Sequence, residues 1–249
     1  MKTLLDIKNL RKKYHTDNGE IEAIKNFTFS LNEGTFVAIV GPSGCGKSTI
    51  LSILCNIENK SNGELTFCKE NIQFGYMLQQ DTLFPWLNVL DNSLLGLKIN
   101  GNLNKETKRK VMELIKTYGL SDFVNYYPAA LSGGMRQRVA LIRTLAINPD
   151  ILLLDEAFSS LDYQTRLEVS NDVYKIIKRE KKTTIMVTHD ISEAISMADI
   201  VIVLSNRPSV IKNIYKIELN QYDNPIDRRT DEKFNSYYKT IWKDLDIHV

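Results

Sequence analysis

Gly41-Pro42-Ser43-Gly44-Cys45-Gly46-Lys47-Ser48-Thr49 lies between two apolar stretches of different period. Before it, Phe36-Val37-Ala38-Ile39-Val40 has the look of a buried strand; after it, Ile50, Leu51, Ile53 and Leu54 recur with helical spacing. Strand, glycine-rich loop, then helix is the setting a phosphate-binding loop requires. Glycines let the backbone curl until several N–H groups point into one concavity, a nest for phosphate oxygens. The helix expected to open at Lys47 adds its unsatisfied N–H groups and its dipole. The Lys47 side chain has the reach for β- and γ-phosphates, and the Ser48 hydroxyl is a Mg²⁺ ligand by type. A full GxxxxGKST match in this context outweighs a plain glycine-rich turn and predicts a bound nucleoside triphosphate.

Composition sets the frame around that loop. With 249 residues the chain has room for one large domain or a domain with a subdomain. An apolar share of 43% and a net charge of +2 suit a globular protein without a general attraction for nucleic acid. Cys45, Cys55 and Cys68 are odd in number and lack metal-ligand spacing, which predicts free thiols in a reducing cytosol. Cys45 sits near a helix N-terminus, where a thiol pKa can fall, yet a space-filling role is the stronger reading. Charges run through Met1–Leu10, so the segment does not read as a signal peptide, and no run approaches the ~20 apolar residues of a membrane span.

Further along, Leu4–Leu10 and Ile24–Leu31 read as strands separated by a turn at Asn18-Gly19. Gly63–Phe67 and Phe74–Leu78 read as short strands of antiparallel edge structure. Phe36–Val40, Ile151–Leu154, Thr184–Val187 and Ile200–Leu204 read as buried central strands, alternating with helices in a mainly parallel sheet. Leu87–Ala130 breaks the alternation as a helical insertion, with Asn104 expected to cap a helix over Lys105–Tyr118. Phe234, Tyr237, Tyr238, Ile241, Trp242 and Leu245 form an apolar stripe at helical spacing, expected to dock on the chain's own domain.

The second chemical feature is Ile151-Leu-Leu-Leu-Asp155-Glu156, an apolar strand ending in paired carboxylates. Beside a phosphate loop, Asp155 suits a Mg²⁺ water shell and Glu156 suits a general base on the attacking water. Leu131-Ser132-Gly133-Gly134-Met135 opens another helix. Ser132 reads as an N-cap, but a Ser-Gly-Gly helix start is also a second anion site. Two phosphate-recognising elements and room for one triphosphate suggest a head-to-tail dimer, with each nucleotide between one chain's Lys47 loop and the other's Ser132 helix.

Tyr14, Gly41–Thr49, Gln79, Leu131–Met135 with Arg136-Gln-Arg, Leu152–Glu156, Ser159-Ser160-Leu161-Asp162 and Thr188-His189-Asp190 occur in this order. Together they resemble the nucleotide-binding subunit of an ATP-binding cassette (ABC) transporter, over nearly the whole chain. The resemblance implies an α/β fold: a P-loop NTPase core with a mainly parallel sheet, an antiparallel β subdomain and a helical insertion. It implies an ABC ATPase domain over residues 1–230, with the helical subdomain near 87–135 and an amphipathic helix over 231–249. It also implies that Tyr14 stacks on adenine and that Gln79, or Gln80 in another register, contacts Mg²⁺ or the attacking water. By the same resemblance Asp162 crosses the dimer interface and His189 bonds the γ-phosphate.

Phe84-Pro85-Trp86, Val203–Pro208 and the C-terminal helix are similar to importers of the nitrate, sulfonate and taurine type. That branch implies ATP with Mg²⁺, a homodimer, integral membrane permease subunits and an extracytoplasmic substrate-binding protein that acts through the permease. It places the chain in the cytoplasm at the inner face of the membrane. Phe84 and Trp86 either pack in the core or line a groove for a permease helix. The competing reading is a soluble ABC ATPase of cluster assembly; a coiled-coil insertion or a second cassette, expected of DNA-maintenance or translation members, is not visible. A P-loop kinase leaves Ser132–Gly134 and His189 unexplained.

Overall fold

The computed structural model describes residues 2–17, 19–219 and 221–245. In chain order its elements are β1 (Thr3–Thr16), β2 (Gly19–Asn32), β3 (Phe36–Val40), α1 (Lys47–Leu54), β4 (Asn62–Phe67), β5 (Phe74–Met77), α2 (Val89–Ile99) and α3 (Lys105–Thr117). There follow α4 (Gly133–Ala146), β6 (Ile151–Asp155), α5 (Tyr163–Arg179), β7 (Thr183–Thr188), α6 (Ile191–Met197), β8 (Ile200–Leu204), β9 (Ser209–Lys216), α7 (Pro225–Arg228) and α8 (Glu232–Asp244). The chain divides into two compact units, residues 1–72 with 174–249 and residues 73–173.

In the first unit the strands follow the order β4-β1-β2-β9-β8-β3-β7. β3 is parallel to both β7 and β8. Every residue of β3 and β7 is buried, as expected of parallel strands covered on both faces. β1 pairs antiparallel with β2 and β4, giving the antiparallel part of the fold at that edge. The turn predicted at Asn18-Gly19 has its first residue outside the described set.

β9 was not anticipated: Ser209–Lys216 runs antiparallel to β8 and parallel to β2. Its mixed polar and apolar side chains hide it beside the purely apolar β8, yet its backbone links the two sheet regions of this unit.

The described part of the C-terminal stripe lies on α8. Phe234, Ile241 and Leu245 are buried, and α8 packs on α6. The helix end is tied to β9, where the Asp244 carboxylate accepts hydrogen bonds from Asn213 Nδ2 and Tyr215 Oη. Burial, reinforced by that carboxylate, pushes the Tyr215 phenol up to about 12. Positions 246–249, the end of the expected helical segment, lie outside the described residues.

In the second unit β5 is parallel to β6, in register from Phe74↔Ile151 to Met77↔Leu154. This corrects the expectation of antiparallel edge structure for Phe74–Leu78. α4 packs across β5, and helix-covered strands of this kind run parallel. Crossed bonds fix the strand start: Gln73 N–H donates to Asp150 Oδ2 at 2.9 Å, and Asp150 N–H donates to Gln73 O at 2.8 Å. A strand of four residues has too little pattern to reveal direction. The insertion contains α2 as well as α3, and Asn104 Oδ1 caps α3 through the Glu106 and Thr107 N–H groups, completing a capping box.

Truncating Ile241, fully buried on α8, to Ala removes apolar contact and leaves a cavity, so urea denaturation should show a loss of about 2–5 kcal/mol. Trp242→Ala, at a half-buried position, should cost less in the same measurement.

Candidate active site

The phosphate loop leaves the carboxyl end of β3, and its geometry follows from its glycines. Gly44 has φ +74° and Gly46 φ +105°, both in the region that L side chains rarely adopt. Gly46 is the N-cap residue of α1, so the helix opens at Lys47 with its first N–H groups turned toward the loop. Lys47 is buried, and its ammonium donates to Gly41 O at 2.8 Å and Pro42 O at 3.1 Å. Both acceptors are neutral carbonyls, so the loop encloses a positive charge that a phosphate would compensate. Cys45 is buried in the same loop. Burial pushes its thiol up, against a smaller downward pull from Lys47, so it stays protonated and fills space.

His189 reaches the same edge through strand register. Val40 pairs with Thr188, so Gly41 and His189 are the next residues on two adjacent parallel strands. The imidazole is exposed there, and Asp190 caps α6 by accepting from Glu193 N–H at 3.0 Å. Tyr14, on β1, lies 3.3 Å through its hydroxyl from Thr49 Oγ1, at the start of α1.

The second unit holds the carboxylates. Met77 pairs with Leu154, so the chain leaves β5 and β6 side by side and delivers Gln79 to the turn after Asp155. Gln79 Nε2 donates to Ser159 Oγ at 3.2 Å and lies 3.5 Å from Glu156 Oε2. Gln80 is exposed. Glu156 has φ +46°, a strained conformation for a side-chain-bearing residue, costing about 1–3 kcal/mol. The turn is held by Ser159, whose N–H and Oγ donate to Glu156 O at 3.0 and 2.9 Å.

Asp155 is buried at the end of β6, and Tyr76 Oη donates to its Oδ2 at 2.8 Å. Tyr76 and Ser159 orient these groups, and neither was singled out from sequence: a strand tyrosine carries no signal, and Ser159 stood only as part of its motif. Ser48 offers a hydroxyl, Gln79 an amide oxygen and Asp155 a carboxylate. All are hard oxygen donors of the kind Mg²⁺ takes alongside water and phosphate oxygens, so the residue types fit the ion.

Ser132 is exposed at the N-terminus of α4 and caps it, accepting from Met135 N–H at 3.3 Å. Gly133 is half-buried beside it. Gly134 is buried against α5: a Cβ there would stand 2.8 Å from Thr165 Cγ2. Asp162 caps α5, accepting from Thr165 N–H at 3.1 Å, and the Thr165 bonds hold its carboxyl below the usual range.

Parallel strands, a phosphate loop at their carboxyl edge and a strand-terminal Asp-Glu pair define a nucleoside-triphosphatase of the P-loop kind. Comparison with known proteins narrows the class. The profile of a family described as "ABC transporter" matches residues 24–159. The chain is 42% identical over 250 aligned positions to an uncharacterized ABC transporter ATP-binding protein of Bacillus subtilis, covering 98% of this chain and 96% of the relative. It is 37% identical over 220 positions to an aliphatic sulfonates import ATP-binding protein of Bacillus cereus, with 86% of each covered. Among solved structures it resembles a dimeric bacterial ABC transporter cassette with a TM-score of 0.74 at 33% identity, over 86% of this chain and 99% of that one. A post-hydrolysis state of such a cassette, bound to ADP and Pi, matches with a TM-score of 0.73 at 32% identity and the same coverage. The chain belongs to the ABC transporter family, as an ATP-binding, ATP-hydrolysing cassette.

Gly134→Ala should lower stability by about 1–3 kcal/mol through the clash with Thr165. The double variant Gly134→Ala with Thr165→Ser, lacking the clashing methyl, should recover part of it in thermal denaturation. No recovery would mean that Gly134 is needed for something other than its approach to α5.

Proposed function

We propose that this chain is the ATP-hydrolysing subunit of an importer for a small solute of the nitrate, sulfonate or taurine class. The observation that carries the reading is the segment running from Gln79 to Trp86. At one end Gln79 bonds the turn that holds Glu156. At the other, Phe84 and Trp86 pack ring to ring at 5.0 Å with Trp86 68% exposed, which is not core packing. Exposed aromatics of this kind are common anchors for a partner.

Between these ends the segment is pinned. Arg136 Nε donates to Asp81 Oδ2 at 2.9 Å, and Arg143 NH2 donates to Asp81 O at 2.8 Å. Asn92, fully buried, donates to Phe84 O and Leu87 O and accepts from Phe84 N–H. A push on Trp86 is therefore carried both to Gln79 and, through Arg136, to the helix that begins at Ser132. Relatives named as aliphatic sulfonates import ATP-binding proteins support the solute class.

In this reading residues 1–230 form the cassette, with a helical subdomain near 87–135 and a C-terminal helical segment over 231–249. Two copies pair head to tail, and each ATP lies between one chain's Gly41–Thr49 loop and the other's Ser132, Gly133 and Gly134. The dimeric cassette structure supports the association of two copies. Tyr14 stacks on adenine, Lys47 holds the β- and γ-phosphates, His189 bonds the γ-phosphate and Asp162 meets the partner chain. Mg²⁺ bound with ATP would be held by Ser48, Gln79 and Asp155 and would neutralise phosphate charge. Glu156 takes a proton from the attacking water.

Closure of the pair pulls on integral membrane permease subunits docked at Phe84 and Trp86, and hydrolysis reopens it. An extracytoplasmic substrate-binding protein delivers the solute to the permease. The chain sits in the cytoplasm at the inner face of the membrane and takes no nucleic acid. Among the described residues no helix is long and apolar enough to cross a membrane, so attachment through a permease suits this reading.

Glu156→Gln should keep ATP affinity and accumulate the closed dimer, while steady-state phosphate release falls by ~10²–10⁴-fold. Near-normal turnover would remove Glu156 from the base role. Cysteines placed beside Trp86 should cross-link to a cytoplasmic loop of the co-expressed permease. A transport-competent complex with no cross-link would sink the docking assignment, and purification with a soluble assembly partner alone would favour the non-transport class.

A further inference from the structure

We propose that Lys12 and Glu58 position the Tyr14 ring for the nucleotide base, and so set how tightly the base end of ATP is held. The proposal rests on the reading of Tyr14 as the adenine-stacking residue. Lys12 and Tyr14 are two residues apart on β1, so their side chains share one face of the strand. The Lys12 ammonium lies 4.6 Å from the centroid of the Tyr14 ring, covering one of its faces. It also lies 3.1 Å from Glu58 Oε1 and donates to Asn59 O at 2.7 Å. Tyr14 Oη donates to the other oxygen, Glu58 Oε2, at 2.7 Å.

One carboxylate thus binds a cation on one oxygen and a phenol on the other, while that cation sits on the ring bearing the phenol. The three groups close a triangle. Lys12 is 9% exposed, so its charge is partly removed from water and its bonds are less screened than those of a surface pair. A ring fixed at its hydroxyl and across one face offers only the opposite face to a base. Its rotamer freedom is already spent before the ligand arrives, which lowers the cost of binding.

The triangle is also tied to the phosphate end of the site. Tyr14 Oη reaches Thr49, in the first turn of α1, and Glu58, just beyond the end of that helix. The connection after α1 is sewn to β1, since Ser61 N–H donates to Arg11 O at 2.8 Å and Lys13 N–H to Ser61 Oγ at 2.9 Å. The chain after α1 folds back on the helix, with Glu58 N–H donating to Ser52 O at 3.1 Å, and this return brings the Glu58 carboxylate to the Tyr14 hydroxyl beside Thr49. Among the described residues, neither Lys12 nor Glu58 makes a side-chain hydrogen bond to the Gly41–Thr49 loop. They reach that loop through the Tyr14 hydroxyl, so their direct effect is on the ring and hence on the base end of the nucleotide.

The test measures binding of ATP and of inorganic tripolyphosphate, which has no base, to the full chain and its variants. Glu58→Ala and Lys12→Met should weaken ATP by about 5- to 10-fold and leave tripolyphosphate unchanged. Glu58→Gln should fall between, because its amide oxygen still accepts from the phenol. The double variant Tyr14→Ala with Glu58→Ala should bind ATP no more weakly than Tyr14→Ala alone. Glu58→Gln and Lys12→Met keep size, so they decide the question should Glu58→Ala not fold. Equal losses for both ligands, or additive losses in the double variant, would overturn the proposal. Weaker ATP binding in Tyr14→Ala alone, with Lys12 and Glu58 variants like the wild type, would overturn it while sparing the stacking role. Unchanged ATP affinity in Tyr14→Ala would bring down the stacking role and the proposal together.

Discussion

The Lys47 ammonium is folded back onto two carbonyl oxygens of its own loop, and much of the first unit serves to hold it there. A buried cation bonded only to neutral oxygens keeps most of its desolvation penalty, and a polyanion in the loop removes it. The loop can enclose the charge because Gly44 and Gly46 adopt left-handed backbone that other residues resist. It can present the charge in one place because β3 and α1 are fixed on either side. β3 is rigid through its parallel pairing with β7 and β8, and α1 through the contacts between Tyr14, Thr49 and Glu58. The enclosed charge, the register of β3 and the placement of the Tyr14 ring thus meet at one end of α1.

A register constraint organises the second unit in the same manner. Parallel strands deliver the residues after their carboxyl ends to one edge, which is why loops there gather chemistry in open α/β sheets. The pairing of β5 with β6 brings Gln79 to Glu156. The strained backbone at Glu156 belongs to the same arrangement. A carboxylate that continued the strand would follow the pleat, whereas a left-handed residue turns the chain at once and lets Ser159 close the turn.

Much of this was legible in the sequence, for identifiable reasons. Phe36–Val40, Ile151–Leu154, Thr184–Val187 and Ile200–Leu204 are apolar but for Thr184 because both their faces are covered, and they form β3, β6, β7 and β8. Asn104 announced α3 because an Asn side chain bonds the orphan N–H groups of a helix start. The direction of β5 was not legible, since pairing direction depends on what covers the strand and not on its own composition. β9 was not legible because the polar pair Lys212-Asn213, one on each face, interrupts its apolar residues. Of the site, the residues whose chemistry is local stood out: the glycines, Lys47 and the strand-terminal carboxylates. Those acting through another side chain, such as Tyr76 on Asp155 and Glu58 on Tyr14, left no trace, because nothing in spacing records a contact across the fold.

In the proposed dimer Ser132 and Asp162 each serve folding and chemistry at once. Both cap helices within this chain, accepting from the N–H groups of Met135 and Thr165. A hydroxyl has two acceptor positions and one donor. Capping occupies an acceptor of Ser132 and leaves the O–H for a phosphate oxygen, so stabilising α4 and recognising an anion do not compete. A carboxylate has no donor to give. After capping α5, Asp162 can still only accept, and its lowered pKa keeps it charged. Across a dimer interface it is therefore suited to N–H groups or cations and unsuited to phosphate. In the proposed dimer the two caps divide the interface by charge: Ser132 on the side that faces nucleotide, Asp162 on the side that faces protein.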